Sequence, residues 1–457
     1  MKIKRRSFGL LAGSSMAALK FGCADAQTAP DPTLLTTTLT PFGSERAGNA
    51  DGSIPAWTGG YTTLPPGWQP GQYMPDFFAD EKPILTVNSS NMAQHADELS
   101  DGTMALMTKY GFSIDVYPTH RTQSVPQSVA DNIAKNVTRV ALVDPNNPQN
   151  GFKGGFSGIP FPIPDTSDPL VAGAQIMANH LNRWNGFAVS YLSYGIVVNS
   201  GNVVMSFNGV GKFDYPYYYR PDISTTQVRT YIAFSGPAYL VGEEVISVYF
   251  HDATPTETWE LLNGQGRVRK APELTFDTPS SFNDGAVNYD EFYGYAGRQI
   301  EYNWKSLGKK EMYIPYNNNA LIAVPYQEAL KSSFIDPNLV RWELHRVWVV
   351  EATVRSDSRN VLARRRFYID EDTWTVALTD SWDANGNLFH VAQAFNVLRP
   401  DMPGLFMFNN AVYNLQTEQY TMISGPWNDK AVPSLKFLDS WPDSTYDPEN
   451  MAAAAQY

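Results

Sequence analysis

Cysteine is nearly missing from this sequence: one residue in 457, Cys23. Disulfide frameworks, thiolate metal sites and cysteine nucleophiles have nothing to build on beyond that position. Histidine is sparse too. The six histidines, at 95, 120, 180, 251, 345 and 390, form no ligand-spaced pair on one element. Charge is low at 18%, with a net −12 and a pI near 5.0. With no basic stripe to meet phosphates, this argues against a nucleic-acid binder. Phosphate loops and His-Glu-x-x-His are absent, and Gly209-Val-Gly211 lacks the third glycine of a dinucleotide site. Gly155-Phe-Ser157-Gly158 is one residue short of a nucleophile elbow. No fixed-period repeat appears, which excludes propellers and solenoids.

Apolar residues are plentiful at 43%, and aromatics reach 13%, with 25 Tyr and 11 Trp. Such a chain buries a proper core. Its first residues read as an export signal, 1–26. Lys2 to Arg6 is a charged start, Leu10 to Leu19 a short apolar run, and Ala24-Asp25-Ala26 a small-x-small cleavage site. The apolar run is too short to span a bilayer. Arg5-Arg6 before a weakly apolar run resembles a twin-arginine signal. Cleavage after Ala26 predicts a thiol-free mature chain in the periplasm. The alternative is lipid anchoring at Cys23, against which Lys20 stands where a lipoprotein box needs an apolar residue.

The mature chain, 27–457, reads as one domain. Residues 27–85 form a Pro/Gly-rich arm whose tryptophans predict packing across the body. Residues 86–185 carry helices and loops: Asn88 to Lys109, Ser128 to Val140, and a helix capped by Asp168 with Pro169 at its first position. Residues 186–425 are mostly strand, and 426–457 a loose tail. The clearest signal is Trp342 to Val397, where four β-branched and aromatic runs are split by turn residues, a four-strand antiparallel meander. About a dozen strands against a few helices predicts an α+β protein built on one large, curved antiparallel sheet.

A sheet this broad, with few helices to cover it, leaves part of its concave side as an apolar pocket. Strand aromatics are core residues in the first instance. Tyr231, Phe234, Tyr249, Trp348, Phe367 and Trp382 are the candidate ligand contacts. Alternation places Trp342 and Trp348 on one face of their strand. Arg364, Arg365 and Arg366 are a candidate partner or anion patch, unless they pair across strands with Glu343 and Glu351. His345 and His390 lie close enough in the meander to meet across strands. Asp370 to Asp372 and Asp380 to Asn387 cluster oxygens that can hold Ca²⁺, although hairpin turns need such residues anyway. No catalytic constellation, metal site or cofactor is assigned.

Several segments bear a resemblance as a set. They are Thr37-Thr-Leu-Thr-Pro41, Ala47 to Gly60 with its Asp51-Gly52 and Trp57-Thr-Gly-Gly60, Gly158-Ile-Pro-Phe-Pro-Ile-Pro164, Trp259 to Pro272, Glu311-Met-Tyr-Ile-Pro315, Glu343 to Ala352, and the hairpin series around Asp370 and Asp380. Spread over residues 35 to 425, they resemble domain of unknown function 1329, an exported family of outer-membrane lipoprotein-sorting-like proteins in the LolA/LolB-like superfamily. The resemblance implies a half-barrel with helices in its concave side, and a periplasmic carrier of a hydrophobic, lipid-like molecule; a monomer is expected. It also implies an envelope transport partner of the resistance-nodulation-division type, and it brings no catalytic residues. The rivals are an envelope interaction protein without a ligand, and an enzyme acting on an apolar substrate.

Overall fold

The computed structural model describes residues 30–271, 277–423, 425, 427, 428, 430 and 435–454. The expected export signal, with Arg5, Arg6, Cys23, Ala24 and Ala26, lies outside the described residues. The short strands are Leu85–Val87 (β1), Ile114–Val116 (β2), Ala141–Leu142 (β3) and Phe152–Lys153 (β4). One run of hairpins then holds Ala188–Asn199 (β5), Asn202–Asp214 (β6), Thr226–Gly236 (β7), Glu244–Phe250 (β8), Glu257–Leu261 (β9) and Val268–Lys270 (β10). A second holds Tyr302–Pro315 (β11), Arg341–Val354 (β12), Arg364–Asp370 (β13), Val376–Trp382 (β14), Leu388–Arg399 (β15), Gly404–Asn414 (β16) and Gln419–Ile423 (β17), followed by Lys436–Leu438 (β18).

All but β3 and β4 join one sixteen-stranded sheet, curved and open. The two hairpin runs meet where β17 pairs antiparallel with β5, Gln419 opposite Asn199. The expected meander is β12 to β15, and its turns follow from local chemistry. Asp383 Oδ1 accepts from the Asn385 and Asn387 amides at 2.9 Å, and Gly386 takes the left-handed φ of 82° that closes the hairpin.

Three helices position the rest: Asp101–Tyr110 (α1), Gln127–Arg139 (α2) and Pro169–Leu181 (α3). Ser100 caps α1, accepting from the Thr103 amide at 3.0 Å. The helix expected from Asn88 therefore starts thirteen residues later, after a short 3-10 turn at Met92–His95. Asp168 caps α3 as anticipated, accepting from the Leu170 amide at 2.8 Å. On the concave face α2 and α3 bury Ile133, Ile176 and Met177 in one core with Trp304, Val350, Phe367 and Trp374. On the opposite face α1 buries Leu106 and Met107 with Val347, Val349 and Tyr368. Trp342 packs in this second core against Phe112, not in the core that holds Trp348.

The arm is tied down by indoles. Trp57 Nε1 donates to the Gln123 carbonyl, and Trp374 Nε1 to the Phe42 carbonyl, both at 2.8 Å. The C-terminal segment packs as well, where a loose tail was expected. β18 adds to β5, and Tyr446 and Met451 bury against Ile246 and Leu261 on the outer face of β8 and β9. That face, formed by Tyr231, Ile246 and Trp259, is apolar and needs the cover.

Candidate functional site

The concave face is filled over the second hairpin run and open over the first. His180 on α3 shows why. It is fully buried, its Nδ1 accepts from the Val376 amide at 3.1 Å, and its Nε2 faces the Tyr295 carbonyl at 3.3 Å. Burial holds it well below the usual histidine pKa. This neutral ring bolts α3 to the β13–β14 turn, and the helix then occupies the space above Trp304 and Phe367. Beyond the C-terminus of α3 a cavity of about 630 Å³ remains. That volume lies within the ordinary range of small-molecule sites.

The cavity floor is a set of cross-strand rows. Val228 pairs with Tyr249, Thr230 with Ser247 and then Thr258, and Ile232 with Val245 and then Glu260. All of these residues line the cavity. Period-2 alternation sends their sequence neighbours Tyr231, Ile246 and Trp259 to the outer face. Ser247 Oγ lies 3.0 Å from Thr258 Oγ1, so the polar row satisfies itself. Burial pushes the Tyr249 phenol up to about 12, which keeps it neutral. Tyr191 and Phe213 stack at 5.0 Å on one wall, and Phe406 joins them edge-on to Tyr191.

The roof is the segment 277–301, which reads in sequence as a Gly/Asn/Tyr loop. Phe282 stacks on Phe234 at 4.8 Å, and Tyr293 OH lies 3.1 Å from Tyr191 OH. Two buried contacts hold the roof to the second hairpin run: an ion pair of Asp290 with Arg365 at 2.8 Å, and a hydrogen bond between Glu291 and His390 at 2.9 Å. Within the roof lies a single 3-10 turn, Tyr289–Glu291, closed by an Asn288 capping box.

Of the six aromatic candidates, Phe234 and Tyr249 line the cavity. Tyr231 lies on the outer face, under Lys212. Tyr231 and Phe234 are three residues apart, a spacing that separates them across a strand. Phe367 is fully buried against Trp304 and Tyr295. Trp348 packs in the filled core beneath Lys309, and Trp382 lies under Arg364, 3.6 Å from its ring centre. The alternating pattern of β7 and β8, Val228-x-Thr230-x-Ile232-x-Phe234 and Val245-x-Ser247-x-Tyr249, was the signal for the floor.

The arginine run divides as a strand must. Arg364 and Arg366 share Glu351, each at 3.2 Å. Arg365 points the other way and is buried on Asp290. A buried, paired guanidinium cannot serve as a docking patch, so the patch loses its middle member. Glu343 instead pairs with Arg341 at 2.5 Å and His345 at 3.1 Å. His345 and His390 occupy separate clusters, with Glu343 and Glu291 respectively. At the Asp370–Asp372 turn, cations of the chain take the place considered for Ca²⁺: Asp372 pairs with Arg121 and Glu371 with Lys309, both at 2.7 Å. Burial pushes Glu371 up to about 7. Among the described residues no His/Cys/Asp/Glu group is arranged to hold a metal, and no helix is long and apolar enough to cross a membrane. Among the described residues no histidine lines the cavity.

Comparison with known proteins adds the following. An uncharacterized protein of Pseudomonas aeruginosa, PA3922, is 33% identical over 456 residues, covering 96% of each chain. Among solved structures, a DUF1329 family protein from Desulfovibrio piger matches with a TM-score of 0.44 and 12% identity, over 62% of this chain and all of that one. An outer membrane lipoprotein-sorting protein domain from Vibrio parahaemolyticus gives a TM-score of 0.43 and 13% identity, over 62% of this chain and 99% of that one. Residues 86–452 match the family model described as "Protein of unknown function (DUF1329)", and the chain belongs to that family.

Proposed function

We propose that this chain is a periplasmic carrier or binding protein for a hydrophobic, lipid-like molecule, which it passes to or from an envelope transport system of the resistance-nodulation-division type. The observation that carries the reading is the cavity: about 630 Å³, floored by β7 to β9, walled by Tyr191 and Phe213, and roofed by Phe282 and Tyr293. Burying apolar ligand surface there contributes roughly 25 cal/mol per Å². The export signal read in residues 1–26 supports the periplasmic compartment. Phe234 and Tyr249 are the proposed ligand contacts that survive from the aromatic candidates; Ile232, Tyr191 and Phe213 join them.

Native mass spectrometry of protein purified from periplasm tests this. The expected result is a bound mass that disappears on organic extraction, and uptake of a fluorescent fatty acid or sterol by the extracted protein at micromolar affinity or better. Protein that carries no bound mass and takes up no probe refutes the carrier reading. Recovery of an inner-membrane exporter by cross-linking in intact cells tests the transport partner separately.

A further inference from the structure

Arg183 lines the cavity just beyond the C-terminus of α3 and is 93% buried, its relative exposure being 7%. Its Nη1 donates to the His180 carbonyl at 2.8 Å, and its Nε has no partner. Every other buried arginine among the described residues has an acid at hand. Arg365 has Asp290, Arg121 has Asp372, Arg229 has Asp214, Arg399 has Asp401, Arg341 has Glu343 and Arg346 has Glu371, the longest of these at 3.5 Å. Arg183 alone has none. Among the described residues four carboxylates line the cavity, Glu260, Asp277, Glu301 and Asp357, and none forms an ion pair with it within 4.0 Å.

A buried guanidinium without a counter-ion is costly. The carbonyls at the end of α3 offset part of that cost, and phenols rather than acids surround it: Tyr215, Tyr218 and Tyr293. Burial draws its pKa down only to about 10, so the group stays charged at neutral pH. A buried cation held without an acid beside the aromatic wall of the cavity is suited to receive a charge from outside. Guanidinium binds carboxylate and phosphate by paired, charge-assisted hydrogen bonds, which strengthen where water is excluded.

We infer that the ligand is an anionic amphiphile, an apolar body with one carboxylate or phosphate, whose head group docks on Arg183 while its body lies along the Val228–Phe234 floor. This rests on the carrier reading above and names the ligand's chemistry and its orientation, head inward.

The test compares hexadecanoic acid, hexadecyl phosphate and hexadecanol on the delipidated full chain, by calorimetry and by displacement of a neutral fluorescent probe. Wild-type protein is expected to bind the acid or the phosphate at least about tenfold more tightly than the alcohol. Whichever anion binds more tightly identifies the head group. Arg183→Gln is expected to remove that preference, so that acid, phosphate and alcohol bind alike, and Arg183→Lys to keep part of it. Equal affinity of wild-type protein for acid, phosphate and alcohol overturns the anionic inference and leaves the carrier reading standing. Failure of all three and of the neutral probe overturns both. If Arg183→Gln does not fold, the wild-type comparison decides by itself.

Discussion

Arg365 Nη1 and Asp290 Oδ2 lie 2.8 Å apart, and each side chain is 1% exposed. The pair joins β13 to the roof of the cavity, 75 residues apart in sequence. Its neighbours Arg364 and Arg366 stay at the surface with Glu351.

Arg365→Met is expected to leave Asp290 buried without its cation, with only the Asn360 amide as partner, at a cost of about 3–5 kcal/mol. Arg366→Ala, which breaks a half-exposed pair, is expected to cost less than about 1 kcal/mol. Denaturant unfolding of both variants checks the contrast. Equal effects would show that Asp290 finds another partner.

Asp380 predicts a pH dependence. It is fully buried, accepting from the Gly102 amide and the Tyr368 hydroxyl at 3.0 Å and from the Ser100 hydroxyl at 3.2 Å. Burial pushes its carboxyl up to about 6 from 3.8. A raised folded-state pKa means that the folded protein holds the proton more tightly than the unfolded chain. The resulting stability is fully present below pH 4 and is lost as pH rises through 6. Asp380→Asn keeps the shape without the charge. The fall in unfolding free energy between pH 4 and pH 8 is expected to shrink by roughly 1–3 kcal/mol in this variant, measured by chemical denaturation across that range.

Gly102 is a glycine for want of space. A Cβ there would meet Asp380 Oδ1 at 2.2 Å and Val391 Cγ1 at 2.6 Å. Gly102→Ala is therefore expected to destabilise by about 1–3 kcal/mol, although alanine is the better helix former. A thermal melt that rises instead would show that α1 can slide on β14.

Filling the cavity separates binding from stability. Ile232 lines the floor and is only half-buried. Ile232→Trp is expected to weaken probe binding at least about tenfold while moving the melting temperature little, because the added ring enters empty volume rather than a packed core. Unchanged probe affinity with the ring in place would locate the ligand elsewhere.

The sequence by itself determined the local elements. Strand alternation, the Asp383 to Gly386 turn and the Asp168 cap act between residues a few positions apart, and each element forms where those contacts predict. It likewise determined that the tryptophans of the arm pack on the body. Only the tertiary structure decided which part of the sheet stays open. That depends on β17 finding β5 across 220 residues, and on buried His180 fixing α3 over the aromatic-rich meander. Trp348 and Phe367 look like ligand contacts in sequence because large rings favour both cores and pockets. The helix that covers them decides for core, and the cavity falls to the plainer strands β7 to β9. Arg365 is one of three equal letters in sequence, and only the roof, brought over by a long loop, gives it Asp290 and takes it out of solvent.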